Sequence, residues 1–268
     1  MLTYWKSAYG TWIDYPQRVG KVLQNRYRIE RFLGMGSYGL TYLCRELASS
    51  REIVLKQAKP SKGLLGQQLL QREMEIMGQL DHPSIPKCVS SFRAGKRRLF
   101  MITEYVSGQT IEDLIFEQGV VFGEKEALGF IRRLMDIVQY LHEQGIVHLD
   151  IRIPNVILQG ERIHLIDFGL ASRLGEPGFA EIGVDEEQRK RKTVNVISDL
   201  YAIGHFLLFM LYSAYVPETV SANDAVGWEE ELQLSVQTKQ LIRKLLQIDP
   251  AYGDAQALIS DLDAALRQ

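Results

Sequence analysis

Hydrophobic and polar residues alternate through Tyr27-Arg28-Ile29-Glu30-Arg31-Phe32-Leu33, a two-residue period that sets one face of a strand against a core. A glycine-rich turn over Gly34–Gly39 follows, then strand-like runs at Leu40–Cys44 and Ile53–Lys56, so the opening predicts an antiparallel meander. From Gln67 to Leu80 the period lengthens. Leu69, Leu70, Met74, Ile76, Met77 and Leu80 recur at helical spacing, and His82-Pro83 closes the segment because proline lacks a backbone donor. Two more strand-like runs, Lys87–Phe92 and Leu99–Thr103, lead into the short polar stretch Glu104–Gly108, which is suited to joining two lobes.

Past that stretch the pattern becomes helical. Leu128, Ile131, Leu134, Met135, Val138 and Leu141 line one face of a long helix that Gly145 can cap in the left-handed conformation. Further helices are predicted at Ile197–Tyr212, Val236–Leu246 and Asp254–Leu266, and two short strand runs, Val156–Leu158 and Ile163–Ile166, fall between the long helix and these. The expected architecture is α+β: an extension over 1–24, a strand-rich lobe with one helix over 25–105, and a mainly helical lobe over 106–268. No internal repeat or low-complexity tract interrupts it.

Composition narrows the classes. With 46% hydrophobic residues in 268, the chain can fill a substantial core, and its net charge of -2 exerts no overall pull toward nucleic acid or a membrane surface. Its longest apolar run, Ala202–Val216, is broken by Gly204, His205 and Ser213 and predicts a buried helix rather than a span. The first fifteen residues resemble neither a signal peptide nor an anchor. Cys44 and Cys88 sit in separate strand runs and are expected as buried reduced thiols, which fits a reducing cytoplasm.

Candidate chemistry then appears in chain order. Gly34-Met35-Gly36-Ser37-Tyr38-Gly39 is a G-x-G-x-x-G turn between two strands, where absent side chains let backbone N–H groups approach phosphate oxygens. A purely structural hairpin turn is the alternative, and the strand that follows argues against a dinucleotide fingerprint, which needs a helix. Lys56 ends an apolar strand, and Glu73 lies on the next helix on the face that shows Met77, so the two can pair and aim an ammonium at phosphates. His148-Leu149-Asp150-Ile151-Arg152-Ile153-Pro154-Asn155 supplies a carboxylate and an amide on one loop, and Asp167-Phe168-Gly169 supplies a second carboxylate. Asp150 is placed to orient a hydroxyl and accept its proton, while Asn155 and Asp167 offer hard oxygen ligands for magnesium. His148 is expected as a satisfied core histidine.

These motifs together resemble the eukaryotic-type (Hanks-type) serine/threonine protein kinases, in particular the small bacterial forms of Bacillus-like organisms, from about Asn25 onward. The resemblance implies a bilobal protein-kinase-like fold, ATP and Mg as cofactors, and protein substrates. It implies that Leu33, Gly34, Gly36, Gly39, Thr41, Val54, Lys56, Thr103, Glu104, Val106 and Ile157 surround the nucleotide, with Thr103 resembling the gatekeeper and Glu104–Val106 the adenine hinge. It further implies an activating pair in Lys56 and Glu73, a base in Asp150, Arg152 in place of the usual catalytic-loop lysine, and metal ligands in Asn155 and Asp167. Asp199 resembles the buried aspartate that braces the catalytic loop, and Met77, Cys88, His148 and Phe168 resemble an apolar spine.

Several positions depart from the family pattern. Leu149 replaces the arginine that reads a phosphorylated activation loop, and few hydroxyls, chiefly Ser172 and Thr193, lie before Asp199, so activity without loop phosphorylation is expected. No Ala-Pro-Glu occurs; Glu187 falls near the place of its glutamate, and Gly253 stands where an arginine partner would follow Asp249-Pro250. Val54 and Thr41 replace the usual alanine and valine around adenine. Arg189–Lys192 is the one basic run, read either as a solvated face or as a site for acidic partners, and Tyr4, Trp5, Trp12 and Tyr15 either pack on the chain or mark a contact surface. A small-molecule kinase on the same scaffold and a nucleotide-binding pseudokinase remain alternatives, and fold likeness alone does not choose among them. Retention of Lys56, Asp150, Asn155 and Asp167 favours an active protein kinase.

Overall fold

The computed structural model describes residues 14–95, 98–177, 186–216 and 227–267. The chain divides into two compact units: the first runs to Ser107 and takes in Phe168–Leu170, and the second holds Gly108–Asp167 and continues from Ala171.

In the first unit six antiparallel strands form one sheet: β1 (Val22–Leu23), β2 (Tyr27–Met35), β3 (Gly39–Glu46), β4 (Glu52–Ala58), β5 (Cys88–Ala94) and β6 (Arg98–Glu104). The meander expected of the opening strands is present in β2, β3 and β4. Across the sheet the order is β1-β2-β3-β4-β6-β5, so the chain leaves through helix α1 (Gly63–Met77), returns along the edge as β5, and seats β6 beside β4. Burial explains the order. Every residue of β6 from Leu99 to Thr103 is buried, which suits an interior strand, whereas β5 alternates between half-buried and exposed positions, as an edge strand does. Ile29, Leu40, Tyr42, Cys44, Leu55, Phe100 and Ile102 form the core beneath the sheet. Phe92 from β5 stacks on Phe100 at 4.8 Å.

Edge placement also corrects the expectation for one thiol. Cys44, in the interior of the sheet, is fully buried and its thiol is pushed up to about 12 by that burial, while Cys88, opening β5, is only half-buried. Both are free.

In the second unit the long helix α3 (Glu124–Glu143) follows β7 (Gln109–Thr110) and a short helix α2 (Ile111–Phe116), which the periodicity did not reveal. Thr110 and Asp113 form a capping box at the start of α2, so local hydrogen bonds stabilise a segment too short to display a period. α3 buries Leu128, Ile131, Leu134, Met135, Val138 and Leu141 as predicted, and Gly145 follows it at φ +70°, the left-handed turn that glycine adopts without a Cβ penalty. β8 (Ile146–Val147), β9 (Val156–Gln159), β10 (Arg162–Leu165) and β11 (Ser172–Arg173) make small antiparallel pairings, with β9 between β10 and β7. Gly108, which opens this unit, has no room for a side chain: a Cβ would stand 2.5 Å from the carbonyl oxygen of Leu158.

Helices α4 (Glu186–Lys192), α5 (Val196–Tyr212), α6 (Trp228–Glu231), α7 (Val236–Leu245) and α8 (Ala255–Leu266) complete the unit. α5 is the buried helix expected from its composition, and Gly204 lets α7 approach, since a Cβ there would meet Leu245 Cβ at 2.8 Å. Among the described residues no helix is long and apolar enough to cross a membrane.

The basic run is neither bare nor simply solvated. It lies on α4, where Lys190 pairs with Glu186 and Arg191 with Glu187 one helical turn away, and both cations stack on the Tyr201 ring at 5.8 and 5.7 Å. Tyr4, Trp5 and Trp12 lie outside the described residues, and Tyr15 is exposed.

Candidate active site

Strand register gathers the candidate residues of the first unit. Lys56 lies opposite Thr41 on β3 and Met101 on β6, and Val54 lies opposite Thr103, so four of the residues singled out in the sequence stand on alternate rungs of the ladder, which present one face of the sheet. Thr103 is buried, whereas Thr41 and Val54 are half-buried. From β4 the Lys56 ammonium reaches both carboxylate oxygens of Glu73 on α1, at 2.7 and 2.8 Å. Only 4% of the Glu73 side chain is exposed, and a carboxylate so far from water needs a cation to offset its lost hydration.

The glycine-rich turn joins β2 to β3, with the Gly36 N–H donating to the Gly39 carbonyl at 2.9 Å. Its glycines serve different ends. At Gly39 an added Cβ would meet Lys56 Cε at 3.1 Å, so this glycine makes room for the lysine stem. At Gly34 a Cβ would meet nothing within 4 Å, and at Gly36 only the Gly39 carbonyl at 3.9 Å, so the fold itself does not demand glycine there and a ligand can come close to the backbone. Leu33 is exposed beside them, and Val106 is buried at the far end of the unit's chain. Glu104 has a local duty: its N–H donates to the Lys87 carbonyl, and its carboxylate accepts the Lys87 N–H, each at 3.0 Å.

In the second unit a loop between β8 and β9 carries Asp150, Arg152 and Asn155. The Asn155 amide nitrogen donates to the Asp150 carbonyl and to its Oδ2, both at 2.9 Å, so these two side chains are brought together. Arg152 forks onto the same carboxylate, with Nε 2.9 Å from Oδ1 and an Nη2 hydrogen bond of 3.2 Å to Oδ2. Burial pushes the Asp150 carboxyl above the usual aspartate range, against the opposing pull of the Arg152 cation. Asp167 adds a second negative charge that acts in the same direction as burial. Asp167 itself is exposed, at φ +62°, and the preceding residue is pinned by an Ile166 N–H bond to the Asn155 carbonyl at 3.0 Å. Ile157, half-buried on β9, pairs with Thr110 and His164.

Beneath the loop stands Asp199 on α5, wholly buried. Its carboxylate accepts the N–H groups of His148 at 2.9 Å and Leu149 at 2.8 Å, and His142 Nε2 lies 3.0 Å away. Leu149 sits at φ +60°, a conformation that costs a non-glycine residue roughly 1–3 kcal/mol. The Asp199 bonds hold the loop in it. His148, fully buried, accepts the Asp150 N–H through Nδ1 at 3.3 Å and has Nε2 3.2 Å from the Ile166 carbonyl, while burial lowers its basicity. One neutral tautomer, protonated at Nε2, satisfies both contacts. This is the satisfied core histidine expected from the sequence.

Two features escaped sequence reasoning. His142 joins the Asp199 brace from the last turn of α3, and only its position one turn before Gly145 hints at that. Arg243 on α7 forks onto Asp249 at 2.8 and 3.0 Å and also meets Glu229 at 2.7 Å. Gly253 supplies no arginine, and Glu187 turns to Arg191 on its own helix.

Asp167 and Asn155 carry oxygen donors of the kind that could hold a hard cation such as magnesium, which takes one or two protein oxygens and completes its shell with water and phosphate. Among the described residues no group of three or more histidine, cysteine or acidic side chains gathers to hold an ion.

The chain matches the family model described as protein kinase domain over residues 27–252. It is 34% identical to a probable serine/threonine-protein kinase, YbdM, of Bacillus subtilis, over 95% of this chain and 94% of that protein. It is 26% identical to serine/threonine-protein kinase B of Synechocystis, over 90% of this chain and 47% of the relative, and 29% identical to smooth-muscle myosin light chain kinase of Gallus gallus, over 88% of this chain and 13% of the relative.

Proposed function

The chain belongs to the protein kinase family, and we propose that in this ATP-dependent serine/threonine protein kinase Asp150 is the base and Asn155 with Asp167 the metal ligands. What supports the assignment above all is the Asp150–Asn155 contact on a loop held from below by Asp199. Asp150 accepts the proton of the attacking serine or threonine hydroxyl as its oxygen bonds to the terminal phosphorus and the bridging P–O bond breaks toward ADP. Arg152 keeps the Asp150 carboxylate oriented. Lys56, aimed by Glu73, stabilises phosphate charge, and the glycine-rich turn, with Leu33, Thr41, Val54, Thr103, Glu104, Val106 and Ile157, receives the rest of the nucleotide. Bound magnesium supplies charge neutralisation of the phosphates.

Transfer from labelled ATP to generic protein substrates tests this, comparing wild type with Asp150→Ala and Asp167→Ala, followed by a metabolite panel. Label on protein with wild type and none with Asp167→Ala is expected. Undiminished transfer by Asp167→Ala rejects its role, and label on metabolites alone rejects protein as the substrate.

Activity in this reading does not wait for loop phosphorylation. Leu149 brings no cation to the loop, Ser172 is fully buried, and the exposed Thr193 donates its hydroxyl to the Arg189 carbonyl at 2.7 Å. A phosphatase-treated enzyme should retain full turnover; an inactive one rescued by phosphate on Thr193 refutes the point. The free thiols support a cytoplasmic protein, and the net charge near neutrality exerts no overall pull toward nucleic acid or a membrane surface.

A further inference from the structure

Asp14 lies ahead of the first strand and outside every motif singled out above, yet it is buried, with 6% of its surface exposed. Its two oxygens meet one residue. Oδ1 accepts the Ser61 backbone N–H at 2.9 Å, and Oδ2 accepts the Ser61 hydroxyl at 2.5 Å, forty-seven positions along the chain. Gln17 ties the same strap to the sheet, with its N–H donating to the Tyr42 hydroxyl at 3.1 Å and its side-chain amide to Gln57, next to Lys56, at 3.2 Å.

Ser61 sits at the centre of a one-turn 3-10 segment, Pro60–Lys62, that leads directly into α1. Three connections leave that turn. The Lys59 N–H donates to the Tyr38 carbonyl at 2.8 Å, and the Lys62 ammonium lies 5.4 Å from the centre of the Tyr38 ring, so the turn grips the glycine-rich loop. On the other side, a Cβ at Gly66 would stand 2.9 Å from Lys62 Cβ and 3.3 Å from the Lys59 carbonyl, so the first turn of α1 is packed hard onto the segment. α1 also begins without a side-chain cap, which leaves its start to be placed by the turn before it. Glu73 lies further along the same helix and reaches Lys56.

From these contacts we propose that Asp14 is a positioning residue: through Ser61 it fixes the turn that sets both the phosphate-facing glycine loop and the Lys56–Glu73 pair. The proposal rests on the roles given to those groups under the proposed function. A buried carboxylate that accepts two hydrogen bonds from one serine locks the direction of that serine's backbone, and because α1 and the glycine loop are packed or bonded to the same turn, a shift at Ser61 moves both. The leading strap thereby belongs to the nucleotide-handling machinery rather than being a bystander to it.

Asp14→Ala, Asp14→Asn and Ser61→Ala in the full chain provide the test. Asparagine retains an acceptor for the N–H and a donor for the hydroxyl, so it should restore most of what alanine loses. Asp14→Ala should raise KM for ATP and lower kcat, together about tenfold in kcat/KM, with KM for the protein substrate unchanged. Ser61→Ala should give a smaller loss, and Asp14→Ala/Ser61→Ala should be no worse than Asp14→Ala alone. Hydrogen exchange of the α1 amides should quicken in Asp14→Ala, a readout that does not depend on turnover. Unchanged kinetics and exchange in a folded Asp14→Ala protein would overturn the proposal, as would a loss that tracks only the folded fraction and is not recovered by asparagine. An inactive wild type would instead defeat the assigned function, leaving exchange in α1 to decide this point separately.

Discussion

Two buried carboxylates organise the two units, and they do so with different partners. Glu73 meets an ammonium delivered from a strand, whereas Asp199 meets two backbone N–H groups and an imidazole. The first arrangement joins two elements that are each regular in their own right, β4 and α1. The second holds a loop that is irregular from His148 to Arg152 and passes through a left-handed leucine. Removing a partner from a strand and a helix frees one side chain. Removing it from a loop frees the backbone on which Asp150 and Asn155 are mounted, so the cost in catalysis should be greater in the second unit than in the first.

Asp199→Ala is the strongest way to break that contrast. It leaves two N–H groups without their acceptor at a strained turn, for an expected loss of roughly 3–5 kcal/mol in stability and about 10²–10³-fold in kcat, read by thermal unfolding and steady-state kinetics. A catalytic loss smaller than that of Glu73→Gln would invert the comparison.

Glu73→Gln preserves shape and removes the charge. It should lower kcat/KM by about ten- to a hundredfold, chiefly through ATP, with about 1–2 kcal/mol lost in stability, because the half-buried ammonium can turn toward water. Equal loss in KM for the protein substrate would argue that Lys56 serves something other than phosphate.

Arg152→Ala sharpens the picture by pH. Asp150 accepts a proton only when ionised; burial already raises its carboxyl, and Arg152 opposes the rise. Without the arginine the carboxyl rises further, so activity should fall away at a higher pH on the acid side, seen as an upward shift of the acid limb in the profile of kcat/KM. An unmoved limb would mean that the Arg152 fork does not govern the base.

The smallest effects should separate the glycines. Gly39→Ala presses on the Lys56 stem and should raise KM for ATP a fewfold, with a slight loss of stability, since flexible methylenes can give way. Gly34→Ala points into open space and should leave thermal unfolding unchanged while still weakening nucleotide binding. Equal effects on unfolding would erase the distinction between a glycine kept for packing and one kept for a ligand.

Much of this was legible beforehand for particular reasons. The period of two in β2 and of 3.6 in α3 is written in consecutive side chains, and the turn residues Gly145 and Asp254 mark helix ends by their own chemistry. The Lys56–Glu73 pair was legible because a lysine ending an apolar strand and a glutamate on the inner face of a helix are unusual enough to ask for each other. The exchange of β5 and β6 was not legible, since both read as strands and their order depends on which of them the core can bury on both faces. The packing of the basic run onto Tyr201 was likewise hidden, because the ring belongs to another helix.

By itself the sequence determined the long strands and helices and singled out the candidate groups, since those depend on neighbours within a few turns of the same segment. Tertiary structure alone decided that Asp14 grasps Ser61, that His142 joins Asp199, and that Arg243 meets Glu229. A hydrogen bond between residues about fifty positions apart leaves no local trace, because its geometry is fixed only when separate elements have packed and excluded the water that would otherwise serve as partner.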